Sequence, residues 1–304
     1  MSRIVLFDAV RKFTDDLLAH WRADGHEIII DRYLDPGKIV WSDTTFFEFC
    51  DLSVQRGSDP NDSFYKEYPY STDKNIIVRA HDIDLWVGHY RSVNWKWVNH
   101  LVFVGPYMKE HFLPNMGLTD NIKVHLIPHG INTDKFTYRE RSVGNKIAWI
   151  GNINHAKNLE LALQVLAENP GYELHVVGSG LGSWEAAYVE EFLKRNPHLK
   201  FFHQDRVDNI NQFLEDKDFI LLTSSKEAFS FAIGEGMAKG IKPLIHGFAG
   251  AELVWPEEYI WNKVSDVKLM LEGPYNSKKY RQYIEDRYPL KKMLDAYDEI
   301  INNK

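Results

Sequence analysis

Cysteine is all but absent from this sequence: Cys50 stands alone among 304 residues, so no internal disulfide can form and a reducing, cytoplasmic setting is expected. A lone cysteine of this kind reads as core filler rather than as a nucleophile. The chain also lacks any apolar run approaching the ~20 residues of a membrane-spanning helix. The stretch Phe219-Ile220-Leu221-Leu222 has the length of a buried strand, and the apolar start Ile4-Val5-Leu6-Phe7 meets acidic Asp8 too soon for a signal peptide. Any membrane contact is therefore expected to be peripheral. Positive charge is not in excess either. Against 43 acidic residues stand 36 basic ones, and the resulting charge of −7 disfavours a nucleic-acid partner or acceptor.

Several catalytic signatures are missing as well. There is no His/Cys cluster of metal-ligand spacing and no Gly-x-Ser-x-Gly nucleophile elbow. Asp82 and Asp84 share an Asp-x-Asp spacing, but two acids at that spacing are common by chance. In Gly178-Ser179-Gly180-Leu181-Gly182 the third glycine of a dinucleotide fingerprint would fall at Ser183, so neither a nicotinamide nor a flavin is expected. No bound cofactor and no metal are predicted.

What is present is an ordinary globular composition, 44% hydrophobic and 26% charged, in a chain long enough for two domains of roughly 100–200 residues. Short apolar runs alternate with longer amphipathic ones, the pattern of β-α-β units around mostly parallel sheets. In the first half, strands are predicted at Ile4–Phe7, Glu27–Ile30, Ile39–Trp41, Asn75–Val78, Leu101–Val104 and Val124–Ile127, with a helix over Val10–Ala23. Gln55–Asp73 reads as a long surface loop. The polar stretch Thr137–Asn145 suggests a boundary, giving a first domain at 1–143 and a second at 144–289, with a terminal segment 290–304 that packs back on the first. The second half repeats the alternation, with strands at Lys146–Ile150, Glu173–Val177, Lys200–His203, Phe219–Thr223 and Lys242–His246. Its helices are predicted at Leu159–Glu168, Trp184–Arg195, Ile210–Glu215 and Phe231–Lys239, the last capped by Gly240, and a terminal helix runs over Leu290–Ile301.

The most informative segment runs from Ser224 to Gly240. It follows a buried strand and opens a helix, which puts it at the carboxyl edge of a parallel sheet, where open α/β folds bind ligands. Backbone N–H groups of Phe229, Ser230 and Phe231 would meet an anion at the positive end of the helix dipole. Glu227 precedes the helix and Glu235 lies about one turn inside it, so both can reach one bound molecule. Gly234 and Gly236 flank Glu235 at a cost of about 1 kcal/mol each relative to alanine, which calls for a packing or a ligand reason.

Two glutamates with seven residues between them, inside Glu227-Ala-Phe-Ser-Phe-Ala-Ile-Gly-Glu235-Gly-Met-Ala-Lys-Gly240, resemble the signature of family 4 (group 1) glycosyltransferases and their GT-B relatives. The usual form is Glu-Gly-Phe-Gly, four residues, Glu-Ala-Met-Ala, one residue, Gly. Ile127-Pro128-His129-Gly130-Ile131-Asn132 with Phe136, Ile150-Gly151 with Lys157, and Val177-Gly178-Ser179-Gly180 agree in order and spacing. The likeness spans roughly residues 100 to 250. It implies an α/β fold of GT-B type, two Rossmann-like domains with a cleft between them, and retaining transfer from a nucleotide-sugar to an acceptor hydroxyl without an obligatory metal. The acceptor would be a glycan, a lipid-linked sugar or a small molecule.

The resemblance also implies roles. Glu235 takes the ribose hydroxyls, Glu227 the transferred sugar, and Lys157 the diphosphate beside the turns at Gly151 and Gly178. Arg206 and Val207 fall where the base is read, largely by backbone groups. His81, in Arg79-Ala80-His81-Asp82, matches a histidine that faces the donor sugar in relatives. Two departures stand out. Where the family has an arginine after the first glycine, this chain has Asn152, so Arg206 or Arg11 supplies the second charge, turnover is slow, or the donor is unusual. The glycine-rich first turn is replaced by Phe7-Asp8-Ala9-Val10-Arg11-Lys12. Trp86, Trp95 and Trp97 are read as core rather than as sugar-stacking rings. Rival readings are a nucleotide-sugar epimerase or phosphorylase of the same fold, and a weakly catalytic protein that only binds sugar nucleotides.

Overall fold

A computed structural model of the protein describes residues 1–8, 10, 13–50, 74–180 and 182–302. The expected loop Gln55–Asp73, and Arg11 as a second cation, lie outside the described residues. The chain divides into two compact units: Met1–His129 with Lys291–Lys304, and Gly130–Leu290. Among the described residues each unit is built on one six-stranded, wholly parallel sheet. None of the described helices is long and apolar enough to cross a membrane.

In the first unit the strands are β1 (Arg3–Phe7), β2 (Glu27–Asp31), β3 (Thr44–Phe47), β4 (Asn75–Ala80), β5 (His100–Phe103) and β6 (Lys123–Leu126), in the order β2-β1-β3-β4-β5-β6. Ile4, Val5, Leu6 and Phe7 are all buried, as a strand covered on both faces requires. The following helix begins at Asp15, not at Val10, and Asp8 accepts hydrogen bonds ahead of it. Its carboxylate accepts from Val10 N at 2.8 Å and from Thr14 Oγ1 at 2.6 Å. A second expectation is corrected at Ile39–Trp41, which belongs to the helix Pro36–Trp41. Pro36 supplies a fixed φ at the first helical position and Asp35 accepts from Gly37 N at 2.8 Å, so an apolar run that reads as a strand is nucleated as a helix. The strand is Thr44–Phe47 instead. Of the three tryptophans expected in the core, Trp95 is buried and Trp97 half-buried, whereas Trp86 is exposed and rests edge-on against Phe112.

The helix Leu290–Asn302 gives its inner face to this unit. Tyr297 packs on Trp21 and Phe46, Asn75 Nδ2 donates to the carbonyl of Ile300 at 3.1 Å, and Asp298 accepts from Trp21 Nε1 and lies 2.7 Å from His20 Nε2.

The second unit contains β7 (Lys146–Ile150), β8 (Glu173–Val177), β9 (Lys200–Gln204), β10 (Phe219–Leu222), β11 (Lys242–His246) and β12 (Ile260–Trp261), in the order β12-β11-β10-β7-β8-β9. One face of the sheet is covered by Ile233, Met237, Trp255, Tyr280 and Tyr288, the other by Leu159, Leu163, Leu166 and Val267. The polar stretch after Phe136 is tied to this unit rather than left as a linker. Arg141 donates to the carbonyls of Leu214, Glu215, Lys217 and Lys239, and Ile131 N donates to Tyr288 O at 2.8 Å.

Candidate functional site

Strand order decides where a ligand pocket can form in a parallel sheet. Loops leave adjacent strands in opposite directions only at a switch point, and there a crevice opens at the carboxyl edge. In the second unit the switch lies between β7 and β10, which pair in parallel with Phe219 opposite Ile147. The turn after β7 carries Gly151, Asn152 and Lys157. The turn after β10 carries Ser224 and Glu227 and runs into the helix Phe231–Ala238.

These two turns are stitched together. Ser225 N donates to Ala156 O at 2.9 Å, Thr223 Oγ1 to Lys157 O at 2.8 Å, and Trp149 Nε1 to Thr223 Oγ1 at 2.9 Å. Through them Lys157 Nζ reaches Glu227 Oε1 in an ion pair between residues 70 apart in sequence, and Ser224 Oγ donates to the same oxygen at 2.9 Å. Ser224 is fully buried and Glu227 nearly so, while the Lys157 side chain stays about a third open to solvent at 29%. A cation and an anion thus sit side by side where the fold places its ligand crevice.

The adjoining turn after β8 comes close enough that glycine is obligatory. A Cβ on Gly178 would stand 2.0 Å from the carbonyl oxygen of Gly151, and the two turns exchange Gly151 N to Val177 O at 3.0 Å and Ile153 N to Ser179 O at 2.8 Å. Ser230 is the N-cap of the helix Phe231–Ala238, its hydroxyl accepting from Ile233 N at 3.4 Å. Glu235 is half-buried in that helix, one turn in. The two glycines beside it have a packing reason: a Cβ on Gly234 would meet Ile131 Cδ1 at 2.6 Å, and one on Gly236 would meet Ile220 Cγ2 at 2.8 Å. The Phe229 ring is core, packed on Trp255 and Tyr288 at 5.2 and 5.0 Å, so only its backbone is available to a ligand. Asn152 and Arg206 are exposed and Val207 is half-buried.

His81 belongs to the first unit, and its surroundings went unread in the sequence. The imidazole Nε2 lies 2.7 Å from Glu48 Oε1, and the ring packs among Phe13, Phe49 and His129. Glu48 is fully buried and accepts from Arg79 Nε. Arg79 in turn donates to Tyr297 Oη at 3.2 Å and to Phe13 O at 3.1 Å. Burial works against the guanidinium charge, but Glu48 and Tyr297 outweigh it and hold the Arg79 pKa above its ordinary value. Asp84 accepts from His81 N at 3.0 Å, and burial raises its carboxyl. One member of the Asp-x-Asp pair therefore has a capping task. A strand at Ile39–Trp41 hides Glu48 in the sequence; its signal is the acid directly after Thr44-Thr45-Phe46-Phe47, at the switch between β1 and β3.

The architecture is that of the GT-B glycosyltransferases. A glycosyltransferase from Rickettsia africae superposes with a TM-score of 0.74 at 15% identity, covering 99% of this chain and 98% of its own. Sucrose-phosphate synthase from Thermosynechococcus elongatus gives 0.75 at 13%, covering 100% and 99%. Alr3699/HepE from Anabaena, in complex with UDP-glucose, gives 0.75 at 12% and covers both chains fully at 100%. In sequence, residues 131–259 match the family model described as glycosyl transferases group 1. That segment lies within the second unit and holds Gly151, Lys157, Glu227 and Glu235. No curated protein matches the chain in sequence.

Proposed function

We propose that the chain is a retaining, family 4-like glycosyltransferase that moves a sugar from a nucleotide-sugar to an acceptor hydroxyl without a metal or bound cofactor. The observation that carries this reading is the meeting of Lys157 and Glu227 at the β7/β10 switch point, inside the segment that matches the group 1 model. Lys157, the turns at Gly151 and Gly178, and the backbone at Phe229, Ser230 and Phe231 hold the diphosphate. Glu235, a bidentate acceptor, takes the vicinal hydroxyls of the ribose. Glu227 takes the sugar, the backbone near Arg206 and Val207 reads the base, and His81 is assigned to the reaction from the first unit.

The chemistry then follows from charge. The bond between the anomeric carbon and the diphosphate oxygen breaks, and Lys157 offsets the charge that develops on that oxygen. The acceptor oxygen bonds to the anomeric carbon on the face the diphosphate leaves, and the acceptor proton passes to the departing phosphate. A thermal-shift screen with UDP-, GDP-, ADP- and dTDP-sugars tests the reading, with UDP-glucose first because the Anabaena neighbour is a complex with it. Stabilisation by one base series, lost in Lys157→Ala, is expected; no response to any of the four overturns it. Exposed Asn152 in the family's arginine position favours one rival, a protein that binds the donor but turns it over weakly. Binding without transfer to any acceptor, or to water, decides for that rival.

A further inference from the structure

We infer that His20, Asp24 and Asp298 form a site for one zinc-like divalent ion, which pins the terminal helix Leu290–Asn302 to the helix Asp15–Ala23. The inference is independent of the proposed function. It concerns the packing of the first unit, and none of the three residues is assigned a part in transfer.

Helix geometry brings the first two residues together. His20 lies in the last turn of its helix and Asp24 is the C-cap, and a spacing of four sets both on one face. Asp298 arrives from 278 residues further along the chain, so no linear spacing announces the cluster. Its carboxylate is aimed by the buried Trp21, whose Nε1 donates to Oδ1 at 3.2 Å and leaves Oδ2 facing the histidine. His20 Nε2 is 2.7 Å from Asp298 Oδ2 and 3.3 Å from Asp24 Oδ2, and the three ligand atoms all lie within 4.8 Å of one another.

Charge is unbalanced in this cluster. One ring nitrogen carries at most one proton, yet two carboxylates face it, and among the described residues neither meets a lysine or an arginine. Asp24 also sits at the negative end of its helix dipole, a place that opposes an acid and favours a cation. A divalent ion answers both demands. With the ring proton on Nδ1, Nε2 offers its lone pair, and each carboxylate offers one oxygen. An imidazole with two carboxylates suits zinc, whereas magnesium and calcium prefer oxygen ligands throughout. Ligands of a tetrahedral zinc stand about 3.4 Å apart, so Asp24 is already in place and Asp298 and the ring need to part by only about 0.7 Å. The His20 side chain is 25% and that of Asp24 49% exposed, which leaves the ion a way in and a position for water.

Calorimetric titration of the chelator-treated full chain with zinc chloride tests this, with the melting temperature recorded with and without the ion. One equivalent is expected to bind and to raise the melting temperature, and magnesium is expected to do neither. Asp24→Asn keeps the contacts of Asp298 with His20 and Trp21, so the fold survives, and it is expected to weaken zinc binding at least about tenfold. His20→Gln removes the nitrogen ligand and is expected to abolish the response. Zinc binding that is unchanged in either variant belongs to another site, such as the His100–His125 pair, and overturns the inference. Failure of the wild type to bind zinc overturns it as well, and neither result touches the proposed function.

Discussion

At the scale of single residues, Lys157 is the cation proposed for the diphosphate. Lys157→Ala is expected to remove on the order of 3 kcal/mol of transition-state stabilisation, about a hundredfold in rate. Steady-state turnover measures it, and full activity in the variant removes Lys157 from the phosphate site. Asn152→Arg adds a guanidinium that can grip phosphate through two N–H groups, which an ammonium cannot do. Equal or higher turnover is expected, whereas loss of activity would mean that Asn152 itself contacts an unusual donor. Glu235→Ala is expected to weaken nucleotide binding without lowering the melting temperature, because the side chain is half-exposed on its helix and is absent from the buried core. Unchanged nucleotide affinity in calorimetry removes it from the site.

At the scale of elements, local propensity and packing can oppose each other, and packing decides. Replacing Gly236 by alanine improves helix propensity by about 1 kcal/mol. The new Cβ would lie 2.8 Å from Ile220 Cγ2, a methyl of a buried branched residue on β10 with no room to retreat. Overpacking of this kind typically costs about 1–3 kcal/mol, so a lowered melting temperature is expected and a raised one contradicts the packing argument. The β5–β6 pair makes a different prediction. His100 Nδ1 lies 2.9 Å from His125 Nε2, and burial, then His125 and Lys123, lowers the His100 pKa to about 4. Between that value and the unfolded one the unfolded chain binds more protons, so stability is full above pH ~6.5 and is lost as pH falls toward 4. Denaturant titrations at pH 7 and 5 should differ, and His100→Gln should reduce the difference. The same contest of local and tertiary forces explains what could be read in advance. Lys146–Ile150, Leu159–Glu168, Glu173–Val177 and Lys242–His246 fall where the alternation of apolar runs puts them, since there period, length and caps agree. The Glu227–Glu235 spacing was legible because chemistry fixes it along the chain. Glu48, Ser224 and the Lys157–Glu227 pair were not, because they arise from strand order and side-chain reach, which no linear spacing encodes.

At the scale of the whole molecule, the residues assigned to the nucleotide and its diphosphate all lie in the contiguous stretch Gly130–Leu290, whereas the first unit, which holds His81, is completed by Lys291–Lys304. Truncation after Leu290 is therefore expected to leave thermal stabilisation by nucleotide in place while lowering the melting temperature of the first unit, which loses the Tyr297 support of Arg79 and the Asp298 support of Trp21. Loss of the nucleotide response in that variant contradicts a donor site contained in the second unit. The same return of the chain sets an order of events on the ribosome. The second unit has its whole sequence once Leu290 has emerged, but the first, although made earlier, lacks its closing helix until residues 291–302 have been synthesised. Throughout translation of the second half, Trp21, Phe46 and the buried Glu48–Arg79 pair wait without the side chains that cover them, so the first unit, although begun first, is expected to close its core only at the end of synthesis.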